Sequence, residues 1–227
     1  MKTCIVLGSN SDIAQGLMPY LEKEYRVIGW TRGNAPTWEK WDLVLCMIGS
    51  VAPVGVWHEV KRGEWLSGIE SNLIRPFELM HYLWPNHNPD ATVIFMAGSN
   101  PNMIMPGYSA YNTGKMALLK LVEQMDAETP DAKFIALGPG TILTKIHKAT
   151  LDAGWDNPKL KKAMEEQKPA DYARLYECIQ TCIAMPKDII GGRNICVSDP
   201  WDDIHWMRTV ANWDDWYKLR RIDESTT

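Results

Sequence analysis

The chain has 227 residues, enough for one domain with a sizeable core, and 45% apolar and 23% charged residues, as in ordinary globular proteins. Its formal net charge of −4 argues against non-specific attraction to nucleic acid or to an anionic membrane surface. No apolar run is long enough to span a bilayer, and the apolar run at Met1–Gly8 is too short for a signal peptide.

Short apolar runs alternate with helix-like segments. Cys4–Leu7 reads as a strand, and Asp12–Glu24 as a helix with Ile13, Leu17 and Leu21 on one face. Pro19 falls inside that helix, removes one backbone donor and should bend it. Arg26–Trp30 and Leu43–Ile48 are further strands. Glu70–Leu83 is helical, with Ile69, Leu73, Phe77 and Met80 spaced for burial. Thr92–Met96 is a strand, Tyr108–Ala127 a long helix, and Phe134–Leu137 and Asn194–Val197 the last strands. Strands that are apolar almost throughout, alternating with helices, predict an α/β fold: a Rossmann-like, doubly wound parallel sheet with helices on both faces. No internal repeat or interdomain linker divides the chain, so 1–227 is expected to be a single domain.

The five cysteines (Cys4, Cys46, Cys178, Cys182 and Cys196) include no Cys-x-x-Cys pair and read as reduced core thiols of a cytoplasmic protein. The scattered histidines form no cluster at metal-ligand spacing, so no metal is expected.

Candidate chemistry starts at the turn Gly8-Ser-Asn-Ser-Asp-Ile-Ala14 between the first strand and helix. Such a turn brings backbone N–H groups at a helix N-terminus to a pyrophosphate. Gly8, Asn10, Ser11, Asp12 and Ile13 are the candidate contacts. Asp12 stands where a second glycine is expected, and Ser11 or Asp12 also suits a helix cap. The second strand ends Gly29-Trp-Thr-Arg32, with no acid to hold a ribose hydroxyl and with Arg32 available for a 2′-phosphate. This favours NADP (NADPH) over NAD. Farther on, Lys115 lies four residues after Tyr111, on the same helix face, whereas Asn112 occupies that place relative to Tyr108.

The glycine turn, Asn72, Ser99, Tyr111-x-x-x-Lys115 and Pro139-Gly-Thr-Ile-Leu-Thr144 occur in this order. Together they resemble the short-chain dehydrogenase/reductase family in its compact form, over nearly the whole chain. The resemblance implies an oxidoreductase that reduces a ketone or aldehyde, or oxidises the matching alcohol. Tyr111 would be the general acid or base, its pKa of about 10 lowered by the neighbouring ammonium and the nicotinamide. Lys115 would supply that ammonium and bind the nicotinamide ribose. Ser99 would hydrogen-bond the substrate carbonyl, and Asn72 would hold a water in a proton relay. Pro139, Gly140, Ile142 and Thr144 would line the nicotinamide and phosphates, and the backbone of Gly49 would approach the cofactor. Read without the family, Ser99 is a turn residue, Asn72 a helix cap and Pro139-Gly140 a turn pair. Tyr108 is expected to line the site.

Two departures stand out. Only Gly33–Trp41 separates the second strand from Leu43–Ile48, so the family's third strand should be missing and the adenine side more open. The usual Asn-Ala-Gly reads Met47-Ile-Gly49 here. A substrate lid is expected over about 141–170, where Lys145, His147 and Lys148 suit either an anion or a solvated face. Trp57 and Trp155 would stack on a sugar or base. The Trp-rich tail, about 199–227, looks similar to members encoded among polysaccharide and nucleotide-sugar genes. It suits either packing on its own domain or a subunit interface. The family assembles through its two long helices, which implies a homodimer or homotetramer. A non-catalytic NADP-binding regulator and a nucleotide-sugar epimerase or dehydratase are the alternative functions.

Overall fold

The computed structural model describes residues 1–33, 38–98, 102–140, 142, 150, 162, 166 and 170–220. The elements run β1 (Lys2–Leu7), α1 (Asp12–Leu21), β2 (Tyr25–Trp30), β3 (Trp41–Cys46), α2 (Arg62–Ile69), a π-helical stretch (Glu70–Ile74) and α3 (Arg75–Leu83). After a 3-10 turn at Trp84–Asn86 come β4 (His87–Met96), α4 (Ser109–Glu128), β5 (Ala132–Gly138), α5 (Tyr172–Ala184), α6 (Lys187–Ile190), β6 (Asn194–Cys196) and α7 (Ile204–Asn212).

Six parallel strands form one sheet in the order β2-β1-β3-β4-β5-β6. Successive side chains on a strand point to opposite faces. Cys4 and Val6 therefore join a core with α1, α5 and α7, while Ile5 and Leu7 join one with α3 and α4. Burial on both faces is why β1 and β3 read as unbroken apolar runs. Trp41, fully buried, closes one end of the second core and donates its indole N–H to the Leu83 carbonyl at 2.9 Å. Among the described residues no strand lies outside β2, so the sheet lacks the family's third strand and β2 is its edge.

Several boundaries differ from the sequence reading. The helix expected at Glu70 begins eight residues earlier, at Arg62, and passes through the π-helical stretch before α3. Charged and polar residues on the exposed side of α2 hide its start from an apolar count. Asn72 is consequently not a cap; it lies inside the π-helical stretch, fully buried. Helix α1 stops at Leu21, not Glu24, two residues past Pro19. Helix α5 carries Cys178 and Cys182 on its buried face, with Leu175 and Ile179. The five cysteines are free: Cys4, Cys46, Cys178 and Cys182 are buried, and Cys196 is partly exposed. The expected lid over 141–170 falls almost wholly outside the described residues, with Lys145, His147, Lys148 and Trp155. In the tail, Trp201 and Trp206 pack on their own domain, whereas Trp213 and Trp216 are exposed. No described helix is long and apolar enough to cross a membrane.

Candidate active site

All strands run the same way, so the residues that follow them gather at one edge of the sheet. Ligands of open parallel sheets bind at this edge. Gly8 follows β1 with φ +79°, and a Cβ there would stand 3.3 Å from the Met47 carbonyl carbon and from the Ile48 side chain. Glycine is therefore required for the turn to pass this close. The N–H groups of Gly8 and Ser9 both bond the Trp30 carbonyl, at 2.9 and 3.1 Å, which sets the turn beside the end of β2. Arg32, two residues beyond Trp30, is exposed there. Ser11 caps α1: its hydroxyl accepts from the Ala14 N–H at 3.2 Å. Asn10 is exposed, Asp12 and Ile13 are half-buried in the first turn of α1, and the Asp12 carbonyl accepts from the Tyr172 hydroxyl at 3.3 Å.

Helix α4 brings in two of the candidate groups. Tyr111 sits in its first turn, half-buried, with its hydroxyl over Gly98; a Cβ on Gly98 would lie 2.7 Å from that oxygen. Burial pushes the Tyr111 phenol above its ordinary value. The lowering expected from an ammonium and a nicotinamide concerns the cofactor-bound site; here the Lys115 ammonium is bonded to backbone carbonyls. One turn later, Lys115 is only 4% exposed, and its Nζ donates to the carbonyls of Met96 (2.6 Å) and Ile48 (3.3 Å). Desolvation lowers the Lys115 pKa to about 8, opposed in part by Cys46. The Cys46 thiol, buried behind it, is pushed up to about 11.

The π-helical stretch supplies Asn72. Its amide donates to the carbonyls of Ser50 (2.7 Å) and Gly68 (2.9 Å), and its oxygen accepts from the Ser50 N–H at 3.2 Å. Every hydrogen-bonding direction but one is filled, so the side chain is held in one orientation. Gly49 lies between Asn72 and Lys115: a Cβ there would stand 2.9 Å from Asn72 Oδ1 and 3.1 Å from Lys115 Nζ. Asn72, Tyr111, Lys115, Gly49 and Gly98 thus converge from α2–α3, α4 and the ends of β3 and β4.

Pro139 and Gly140 follow β5 at the same edge, with Gly140 at φ +75°. Ile142 is buried and donates its N–H to the Gly140 carbonyl at 3.2 Å. Ser99 and Thr144 lie outside the described residues. Tyr108 is buried at the N-cap of α4, one position before its first residue, and Gly55 pairs with it across an isolated bridge. The carbonyls of Met96, Ile48 and Ser50 escaped the sequence reading, because a backbone acceptor leaves no trace in residue identity. Gly68 and Gly114 escaped it too, although a glycine inside a helical pattern is a signal for close packing. Among the described residues no three His, Cys, Asp or Glu side chains gather to hold a metal ion.

These residues fit a dinucleotide. Gly8 at φ +79° lets the turn pass close to Met47 and Ile48, and a ten-residue helix starts behind it. Asp12 in its first turn opposes an anion, so the fit rests on the backbone of the turn rather than on charge.

The family model described as enoyl-(acyl carrier protein) reductase matches residues 27–192. An uncharacterised oxidoreductase of Schizosaccharomyces pombe is 24% identical over 108 residues, a stretch that covers 47% of this chain and 44% of that protein. A short-chain dehydrogenase/reductase from Saccharomyces cerevisiae superposes with a TM-score of 0.77 at 17% identity, covering 96% of this chain and all of the other. A small-chain dehydrogenase in complex with NADPH superposes with a TM-score of 0.71 at 16% identity, covering 86% of this chain and 96% of the other. At these identities the two structures establish the fold. With a family match over most of its length, the chain belongs to the short-chain dehydrogenase/reductase family.

Proposed function

We propose that the protein is an NADP-dependent oxidoreductase that interconverts a small-molecule ketone or aldehyde and its alcohol. The observation that carries this reading is the convergence of Asn72, Tyr111 and Lys115 at the strand-end edge that also holds the Gly8 turn. A regulator that only binds the cofactor has no use for a buried lysine one helix turn from a tyrosine at the strand ends.

A bound nicotinamide supplies or accepts the hydride. Tyr111 gives the proton to the carbonyl oxygen in the reducing direction and takes it back in the other. A phenol is protonated at neutral pH, as a proton donor must be. Lys115, charged below about pH 8, faces Gly49 and holds the local field positive. Asn72, fixed by Ser50 and Gly68, would hold a water through which protons pass between Lys115 and solvent. Ser99 orients the substrate carbonyl. Pro139, Gly140, Ile142 and Thr144 would hold the nicotinamide end of the cofactor, and Gly8, Asn10, Ser11, Asp12 and Ile13 its pyrophosphate.

Arg32 is the choice for the 2′-phosphate, since it stands beside the glycine turn and the preceding strand end offers no carboxylate. A sugar-like substrate remains our suggestion, resting on exposed Trp57 as a stacking surface. Self-association through α2–α3 and α4 is supported by exposed Leu66, Ile74 and Phe77 on the first of these. The test is a titration with NADPH and with NADH followed by nicotinamide fluorescence, then a carbonyl screen with the better cofactor. Binding of neither would remove the proposal.

A further inference from the structure

We propose that Gly68 and Gly114 are positioning residues, whose missing side chains let two helices approach closely enough to set Asn72 against Lys115. The inference rests on the reading that Asn72 and Lys115 serve the reaction.

Gly68 is in α2 and Asn72 four residues on; Ala110 and Gly114 are four apart on α4. They meet pairwise. A Cβ on Gly68 would lie 2.7 Å from Ala110 Cβ and 3.1 Å from both the Ala52 carbonyl and Pro53 Cδ. A Cβ on Gly114 would lie 2.8 Å from Asn72 Cβ. Real Cβ atoms do not approach so closely, so a methyl group at either place must move a helix or Asn72. Tyr111 and Lys115 directly follow Ala110 and Gly114, about 100° further round α4. The seam therefore fixes how far α4 stands from the π-helical stretch, and with it the relation of Lys115 and Tyr111 to Asn72. The Gly68 carbonyl also holds the Asn72 amide. The π-helical turn at 70–74, closed by the Arg75 N–H on the Glu70 carbonyl, lies within this contact; such turns recur at functional sites.

Intrinsic preference makes the opposite prediction. Alanine is a better helix former than glycine, so propensity alone favours alanine at both places. Gly63, also in α2, has nothing within 4 Å of a Cβ and is the control.

Gly114→Ala, Gly68→Ala and Gly63→Ala should be compared in the full chain with NADPH and a carbonyl found by screening the wild type. The Asn72 side-chain amide is followed in parallel by ¹⁵N NMR. We expect Gly114→Ala and Gly68→Ala to lower kcat by roughly 10-fold or more, with NADPH affinity changed by less than about 2-fold. Their Asn72 amide resonances should shift and exchange faster, while Gly63→Ala matches the wild type in all three. Wild-type turnover and an unmoved Asn72 amide in both seam variants would overturn the proposal. If the wild type reduces no carbonyl, the functional reading fails, and the amide signal alone still decides whether the seam positions Asn72.

Discussion

The Lys115 ammonium donates to the Met96 carbonyl at 2.6 Å, at the last residue of β4, so the lysine is plugged into the end of the sheet. A cation so buried pays for its desolvation, and its pKa falls to about 8 from an ordinary 10.5. The unfolded chain therefore binds more protons than the folded one between those values, and folding stability rises with pH across that window. Below about pH 8 both states are protonated and the full penalty is present. Lys115→Met lacks this dependence. Urea titrations should show the wild type gaining on the variant, by on the order of 3 kcal/mol, between pH 7 and pH 10.5. A gap that stays constant with pH would mean the amine is not buried as described.

Tyr111→Phe removes the proton donor and leaves the fold. We expect kcat to fall roughly 100-fold or more, with NADPH affinity unchanged by fluorescence titration. Unchanged turnover would sink the assignment of Tyr111.

Arg32→Ala should weaken NADPH binding roughly 10- to 100-fold, the loss of a charge-assisted contact to phosphate, and leave NADH binding as it was. Equal loss for both cofactors would move the 2′-phosphate contact elsewhere.

Arg193, 1% exposed, donates to the carbonyls of Ile189 (2.6 Å), Val210 (3.0 Å), Trp213 (3.0 Å) and Trp216. It ties the end of α7 and the Trp213–Trp216 turn to the domain. Arg193→Met leaves four carbonyls without that donor and should cost roughly 3 kcal/mol or more in urea unfolding, with proteolysis appearing after residue 200. Arg220, which pairs with Glu123 at 2.6 Å on the more exposed side of the same tail, should cost under about 1 kcal/mol when changed to Ala. Equal effects of the two changes would contradict the pinning role of Arg193.

The tail also closes the edge of the sheet. The Asn194 N–H donates to the Tyr217 carbonyl at 2.8 Å, and the Cys196 N–H to the Asp199 carboxylate at 2.6 Å. An open edge invites pairing with another chain. Amide exchange at Asn194 and Cys196 should thus be slow at any protein concentration; protection that grows with concentration would instead place a second copy on β6.

β1 and β2 were readable as short apolar runs, and α1 and α4 as helices, because a helix repeats its faces at a spacing its own backbone imposes. The four-residue spacing of Tyr111 and Lys115 was readable for the same reason, as was the lost third strand, since Gly33–Trp41 is too short to hold a helix and a strand. The start of α2 was not readable, because an exposed helix turn has no apolar signature. Nor was the role of Arg193: whether an arginine is solvated or sealed under four carbonyls depends on a tail some twenty residues away.

Residue identities alone thus determined which groups are present, their order and which of them share a helix face. Only the tertiary structure decided that Lys115 spends its protons on Met96 and Ile48, that Asn72 lies in a π-helical turn against the Ser50 peptide, and that burial raises the Tyr111 pKa. Those outcomes depend on backbone acceptors and on the distance between packed helices, which arise only when segments distant in sequence come together.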